Sequence, residues 1–135
     1  MVKTKKSKKS GLPPGTLVHI GEERSDRVRI TVIRYNEMEV HEQELAGPAE
    51  LEAVSLEHAE EGVTWINIEG VHHLETIDRM GKCYGIHPLT LEDIVNTEQR
   101  PKIEEYPDYL FIVLKGSGFA DPKDQPGMHQ ISLVL

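Results

Sequence analysis

The chain reads as an α/β domain with a mixed β-sheet, because segments of two-residue alternation are interleaved with segments of helical period. Three stretches carry that reading. Arg27 to Tyr35, R-V-R-I-T-V-I-R-Y, alternates polar and apolar side chains as a half-buried strand does. Leu74, Ile77, Met80 or Gly81, and Tyr84 form a helical stripe, which Gly85 closes at the C′ position. Lys102 to Tyr106 and Tyr109 to Lys115 flank Pro107-Asp108 as two strands around a turn.

The remaining elements follow in order. Thr16 to Ile20 is expected as a short strand after the Pro13-Pro14-Gly15 turn. Glu37 to His58 is acidic and broken at Gly47-Pro48, which predicts two short helices. Val63 to Ile68 predicts a strand, with Trp65 beside Ile66 and Ile68 as core and Asn67 bonding backbone at the sheet's end. Gly116-Ser117-Gly118 reads as the exit of a hairpin, since no phosphate-loop context surrounds it. His129 to Leu135 predicts a last strand, apolar to its final residue, whose pairing partner the chain does not supply. There is no internal repeat.

Gly85 to Asp93, G-I-H-P-L-T-L-E-D, is the most informative stretch. Pro88 suits a first helical turn, which has no use for the missing N–H, and His87 then takes the N-cap. If the helix runs through Asn96, Leu91, Ile94 and Val95 fall at i, i+3 and i+4 and form one core-facing stripe. Asp93 lies nearly opposite that stripe, with Leu89 one turn before it. A carboxylate beside an exposed leucine reads as a contact surface with a charge in it.

Composition bounds the function. With 135 residues there is one domain at most, able to bury roughly two-thirds of its unfolded surface. Cys83 is the single cysteine, so no internal disulfide forms. The longest apolar runs, Leu110 to Leu114 and Leu133 to Leu135, fall far short of the roughly 20 residues of a membrane-spanning helix. The net charge is −8, yet five lysines lie in the first ten residues. Residues 1–10 are therefore expected to be a basic, disordered arm. The rest sets ten basic side chains against 23 acidic ones. That balance excludes a nucleic-acid-binding domain and suits one that deals with cations. No serine or cysteine sits in a nucleophile signature, so no enzymatic activity is expected.

Several segments together carry a family likeness. G-L-P-P-G-T-L-V at Gly11 to Val18 and T-W-I-N-I-E-G at Thr64 to Gly70 come first. G-I-H-P-L-T-L-E-D-I at Gly85 to Ile94, Q-R-P-K-I at Gln99 to Ile103 and Y-L-F-I-V-L-K at Tyr109 to Lys115 follow. In that order and spacing the chain resembles the cytoplasmic N-terminal domain of the CorA family of magnesium channels. The resemblance implies an α/β/α arrangement, a mixed sheet flanked by helices, truncated at its C-terminal end. Residues 11–135 would be the N-terminal part of a cytoplasmic regulatory domain, and the family's G-M-N signature and membrane helices are not in this stretch.

In that family, acidic residues of the Pro88-type helix help bind regulatory magnesium between neighbouring domains. Asp93 matches the aspartate of the motif and Glu92 the adjacent glutamate, so the resemblance implies a half-site for Mg²⁺, with Co²⁺ as a substitute. Leu89 and Asp93 would face the next subunit of a homo-oligomer, a pentamer in the full-length family. The whole protein would be a magnesium/cobalt ion channel at the cytoplasmic face of the cell membrane, reaching the membrane through later helices. A CorA-related zinc transporter and a free-standing soluble interaction or metal-binding module are the alternatives. The reading requires the side chain of residue 93 to project free of its own domain, with no intramolecular salt link.

Two other groups of residues bear on the chemistry. His72, His73, Cys83 and His87 supply zinc-type atoms, but adjacent histidines and a cysteine near the buried stripe lack the tight pairs of a structural zinc site. Gln99-Arg100-Pro101-Lys102 reads as a solvated connection in which Pro101 stops the helix.

Overall fold

The computed structural model describes residues 10–21, 27–56, 62–118 and 127–135. The N-terminal arm lies outside them, apart from Ser10. The α/β class is as expected, and the strands fall into two antiparallel three-stranded sheets. In the first, β1 (Arg29–Tyr35) is central, flanked by β2 (Val40–Leu45) and β3 (Val63–Glu69). In the second, β5 (Leu110–Gly118) is central, flanked by β4 (Lys102–Glu105) and β6 (Gly127–Val134). Among the described residues, the parallel component of a mixed sheet is reduced to one bridge, Ile20 to Asn96. The expected strand at Thr16 to Ile20 is therefore only that bridge.

β2 occupies the first part of the stretch expected to be helical. Val-His-Glu-Gln-Glu-Leu has helix-forming acids and almost no apolar alternation, and only Leu45 is buried. Pairing decides its state. The Asn36 side chain accepts hydrogen bonds from the amides of Met38 and Glu39 at 2.8 and 3.0 Å, closing an Asx-type turn that folds the segment back onto β1. After the break at Gly47-Pro48, a short 3-10 turn at Pro48–Glu50 leads into one helix, α1 (Leu51–Leu56). Residues 57 and 58 of that expected stretch lie outside the described residues.

α2 (Leu74–Tyr84) ends as expected on Gly85, at φ 65° and ψ 31°. α3 (Pro88–Val95) follows after three residues. Two core clusters meet at α2. Ile30, Val32 and Leu45 of the first sheet pack with Leu51 and Val54 of α1, and Met80 and Cys83 of α2 lie against them. Phe111 and Val113 of the second sheet pack with Ile77 of α2 and Leu91, Ile94 and Val95 of α3. The described helices thus form one layer against one face of each sheet.

Among the described residues, no helix packs on the opposite faces. Trp65, expected in the core, is 48% exposed, because Ile66 and Ile68 face the helices and the two-residue period turns Trp65 outward. Asn67, on that face, donates to the Glu69 carboxylate at 3.2 Å rather than meeting backbone. Ile103 is 70% exposed for the same reason. Gly116-Ser117-Gly118 does not leave the sheet: these residues stay paired with His129, Met128 and Gly127 of β6. The last strand has its partner in β5, and the backbones of Leu110 and Leu135 bond reciprocally at 2.9 Å. No described helix is long and apolar enough to cross a membrane.

Candidate cation site

α3 is set by local chemistry and then pinned from outside. His87 is the N-cap, its Nδ1 accepting from the Leu89 amide at 3.2 Å, and Pro88 opens the first turn. Thr90, fully buried, shares a 2.8 Å hydrogen bond with the Tyr109 hydroxyl, which also accepts from the His87 amide at 3.1 Å. Tyr109 sits at the β4–β5 turn, so the helix start is tied to the second sheet. At the other end, Lys115 donates to the Thr97 carbonyl at 2.6 Å, and Gln130 donates to the Asn96 carbonyl at 3.0 Å. A cation beside a helix C-terminus also complements its dipole.

The helix faces divide largely as the periodicity predicts. Leu91, Ile94 and Val95 are buried, and Leu89 is 47% exposed. Leu89 lines a shallow groove with Leu12, Pro13, Pro14, Thr16 and Glu92. Glu92 accepts a hydrogen bond from the Gly15 amide at 2.8 Å and so holds the N-terminal segment against α3. Gly15 has φ 82°, and a Cβ there would come within 3.1 Å of Pro88 Cβ, so the close approach favours glycine.

Asp93 departs from expectation. Its side chain is 24% exposed, and both carboxylate oxygens are engaged within the chain. Oδ1 accepts from Gln99 Nε2 at 2.6 Å, and Oδ2 accepts from Lys102 Nζ at 2.7 Å. The free, outward aspartate required above is therefore corrected to one in an intramolecular salt bridge. The reason lies in β4. With Ile103 turned outward, Lys102 and Glu104 point to the helix side of the sheet, where α3 presents Asp93. Lys102 also donates to Glu104 at 2.8 Å, and its Nζ stands 5.5 Å from the centre of the Phe111 ring. Its side chain is only 26% exposed, so the solvated connection expected at Gln99 to Lys102 ends in a half-buried ammonium.

Burial by itself lowers the Lys102 pKa, but hydrogen bonds to Asp93 and Glu104 outweigh it and the net shift is upward. The pair's contribution to stability is thus complete below the ordinary lysine value of about 10.4 and is lost as pH climbs through the raised one. Urea melts on the alkaline side should show this loss in the native chain and not in Lys102→Met. Equal pH profiles would contradict the assignment.

The donor set fits a cation, because an ammonium already stands at Asp93 between two carboxylates. It does not make a complete metal site within one chain. Among the described residues, no three His, Cys, Asp or Glu side chains converge closely enough to hold a metal ion. The zinc-type residues are dispersed. His72 meets His19 edge-on at 6.0 Å between ring centres, His73 bonds Thr76 at 2.9 Å, His87 caps α3, and Cys83 packs toward the first sheet. Lys102 is the partner of Asp93 that sequence reasoning missed. Its signal was the K-x-E alternation beginning β4, which is visible once Ile103 is known to face outward.

Comparison with known proteins agrees with the sequence resemblance. Residues 60–135 match the sequence model of the CorA-like Mg2+ transporter proteins. The chain is 42% identical over 129 residues to the cobalt/magnesium transport protein CorA of Thermotoga maritima, covering 96% of this chain and 36% of that protein. It is also 37% identical over 54 residues to a putative metal ion transporter of Schizosaccharomyces pombe, covering 40% of this chain and 9% of that protein. The chain spans about a third or less of these relatives' lengths. With more than half of its residues matched by the family's pattern, the chain belongs to the CorA-like Mg2+ transporter family.

Proposed function

We propose that these residues form the N-terminal part of a cytoplasmic regulatory domain in a Mg²⁺/Co²⁺ transporter at the cell membrane, and that α3 faces a neighbouring copy in a homo-oligomer, a pentamer as in the family at large. The observation that carries the reading is the match of residues 60–135 to the CorA-like Mg2+ transporter proteins. The salt link to Lys102 takes from Asp93 the freedom first required of it, so this carboxylate serves only where a cation displaces that ammonium. Leu89 supplies exposed apolar surface on the same helix. Glu92 holds the Gly15 segment beside it, so the rim of the seam is ordered.

When bound, Mg²⁺ supplies positive charge between Asp93 and an acid of the next subunit while keeping most of its waters. Two such carboxylates left facing one another cost roughly 1–4 kcal/mol per pair. Repeated around a ring, that repulsion shifts the population away from the closed packing. Asp93 provides one of the two protein carboxylates, so the 135-residue chain alone should bind Mg²⁺ with a Kd of about a millimolar or weaker. Calorimetric titration at constant ionic strength tests this, and Asp93→Asn should remove what binding there is. Micromolar affinity in the isolated chain, or binding untouched by Asp93→Asn, would sink the reading. The coding sequence beyond residue 135 provides a second test: apolar spans of about 20 residues are expected there, and a stop codon would favour a free-standing module.

A further inference from the structure

We propose that Lys102 is a built-in competitor of the regulatory cation: its ammonium neutralises Asp93 when no metal is present and must give up that carboxylate when metal binds, falling back on Glu104. The inference rests on the reading of Asp93 as a cation ligand and adds what sets the threshold of that site.

The geometry supports a two-position ammonium. Nζ lies 2.7 Å from Asp93 Oδ2 and 2.8 Å from Glu104 Oε1, so leaving one carboxylate does not strand the charge. The Phe111 ring stands 5.5 Å from Nζ with its π-face toward the ammonium. Glu104 is itself held, its other oxygen accepting from the Tyr106 hydroxyl at 3.4 Å, so the fallback acceptor is in place beforehand. The lysine stem is flexible, and its ammonium is a compact point charge with three donors, which suits exchange between two acceptors better than a rigid guanidinium fork would.

Two consequences follow for the seam. In the cation-free state Asp93 is not an uncompensated charge, so repulsion between subunits is milder than bare carboxylates would give. Metal must in turn displace a pre-organised ammonium, which weakens its apparent affinity. The site would respond only at high cation concentration.

The test uses the 135-residue chain, MgCl₂ as the probe and fixed ionic strength. In the native chain, the NMR resonances of the Lys102 side chain and of the Asp93 carboxylate should move together with one midpoint as Mg²⁺ is added. Lys102→Met should bind Mg²⁺ about tenfold more tightly, since a positive charge within hydrogen-bond distance of the ligand is gone. Lys115→Met is the charge-matched control, because among the described residues Lys115 is bonded to Thr97 and Gln130 and to no carboxylate. It should change affinity by less than about twofold, allowing for screening of a more distant charge. Asp93→Asn in the Lys102→Met background should abolish the gain. If Mg²⁺ moves Asp93 but leaves Lys102 still, or if the Lys115 control tightens binding as much as Lys102→Met does, competition is overturned while Asp93 remains a ligand. If Mg²⁺ moves neither residue, the reading of Asp93 itself falls. The native-chain resonances decide the matter even if Lys102→Met folds poorly.

Discussion

Phe111→Ala should cost about 3–5 kcal/mol of stability, a large effect for a domain of this size. Phe111 is fully buried in β5, paired with Glu104 on one side and Val134 on the other. Its ring fills the cluster that joins the second sheet to α2 and α3, so truncation leaves a cavity lined by elements that cannot all collapse into it. The ring also stands beneath Lys102. Phe111→Leu separates the two contributions, because it keeps most of the volume and removes the π-face. It should cost less than half as much as alanine. Urea unfolding of the three chains measures this. A loss below about 1 kcal/mol for Phe111→Ala would show that the ring does not fill the cluster joining the second sheet to α2 and α3.

The second large effect concerns the approach of α2 to α3. Gly81 is a helical glycine, and alanine is favoured there by about 1 kcal/mol on intrinsic propensity. The opposite result is expected. A Cβ at residue 81 would lie 2.3 Å from Leu91 Cδ1 and 3.1 Å from Cγ, so the whole branched end of a buried leucine would have to move. Overpacking of this kind costs about 1–3 kcal/mol, enough to outweigh the propensity gain. Leu91→Ala alone should cost about 2–5 kcal/mol. Combined with Gly81→Ala it should cost less than the sum, since the new methyl enters the space the leucine leaves. A double-mutant cycle reads this coupling, and strict additivity would mean the two residues do not touch.

These residues also show how far the sequence could be read. α2 and α3 were legible because their ends rest on backbone chemistry that does not depend on the rest of the chain. Gly85 takes a left-handed conformation, and His87-Pro88 form a cap and first turn. β1 and β5 were legible from their apolar residues. β2 was not, because its acids favour helix and only the Asn36 turn and pairing with β1 hold it extended. Trp65 was misplaced, and the outward turn of Ile103 could not be foreseen, for a common reason. Alternation says that neighbouring residues face opposite ways but not which face the helices cover.

The candidate site divides along the same line. Leu89 exposed and Leu91, Ile94 and Val95 buried could be counted along one helix, since a period of 3.6 fixes faces without knowledge of the fold. The salt bridge at Asp93 could not. It joins residues nine apart in the chain, across a loop, and depends on which way β4 turns its side chains. The family, the α/β class and the helix that carries the acids follow from residue order. The meeting of Asp93 with an ammonium from its own chain does not, because charges pair by distance in space and that distance is set by how sheet and helix pack.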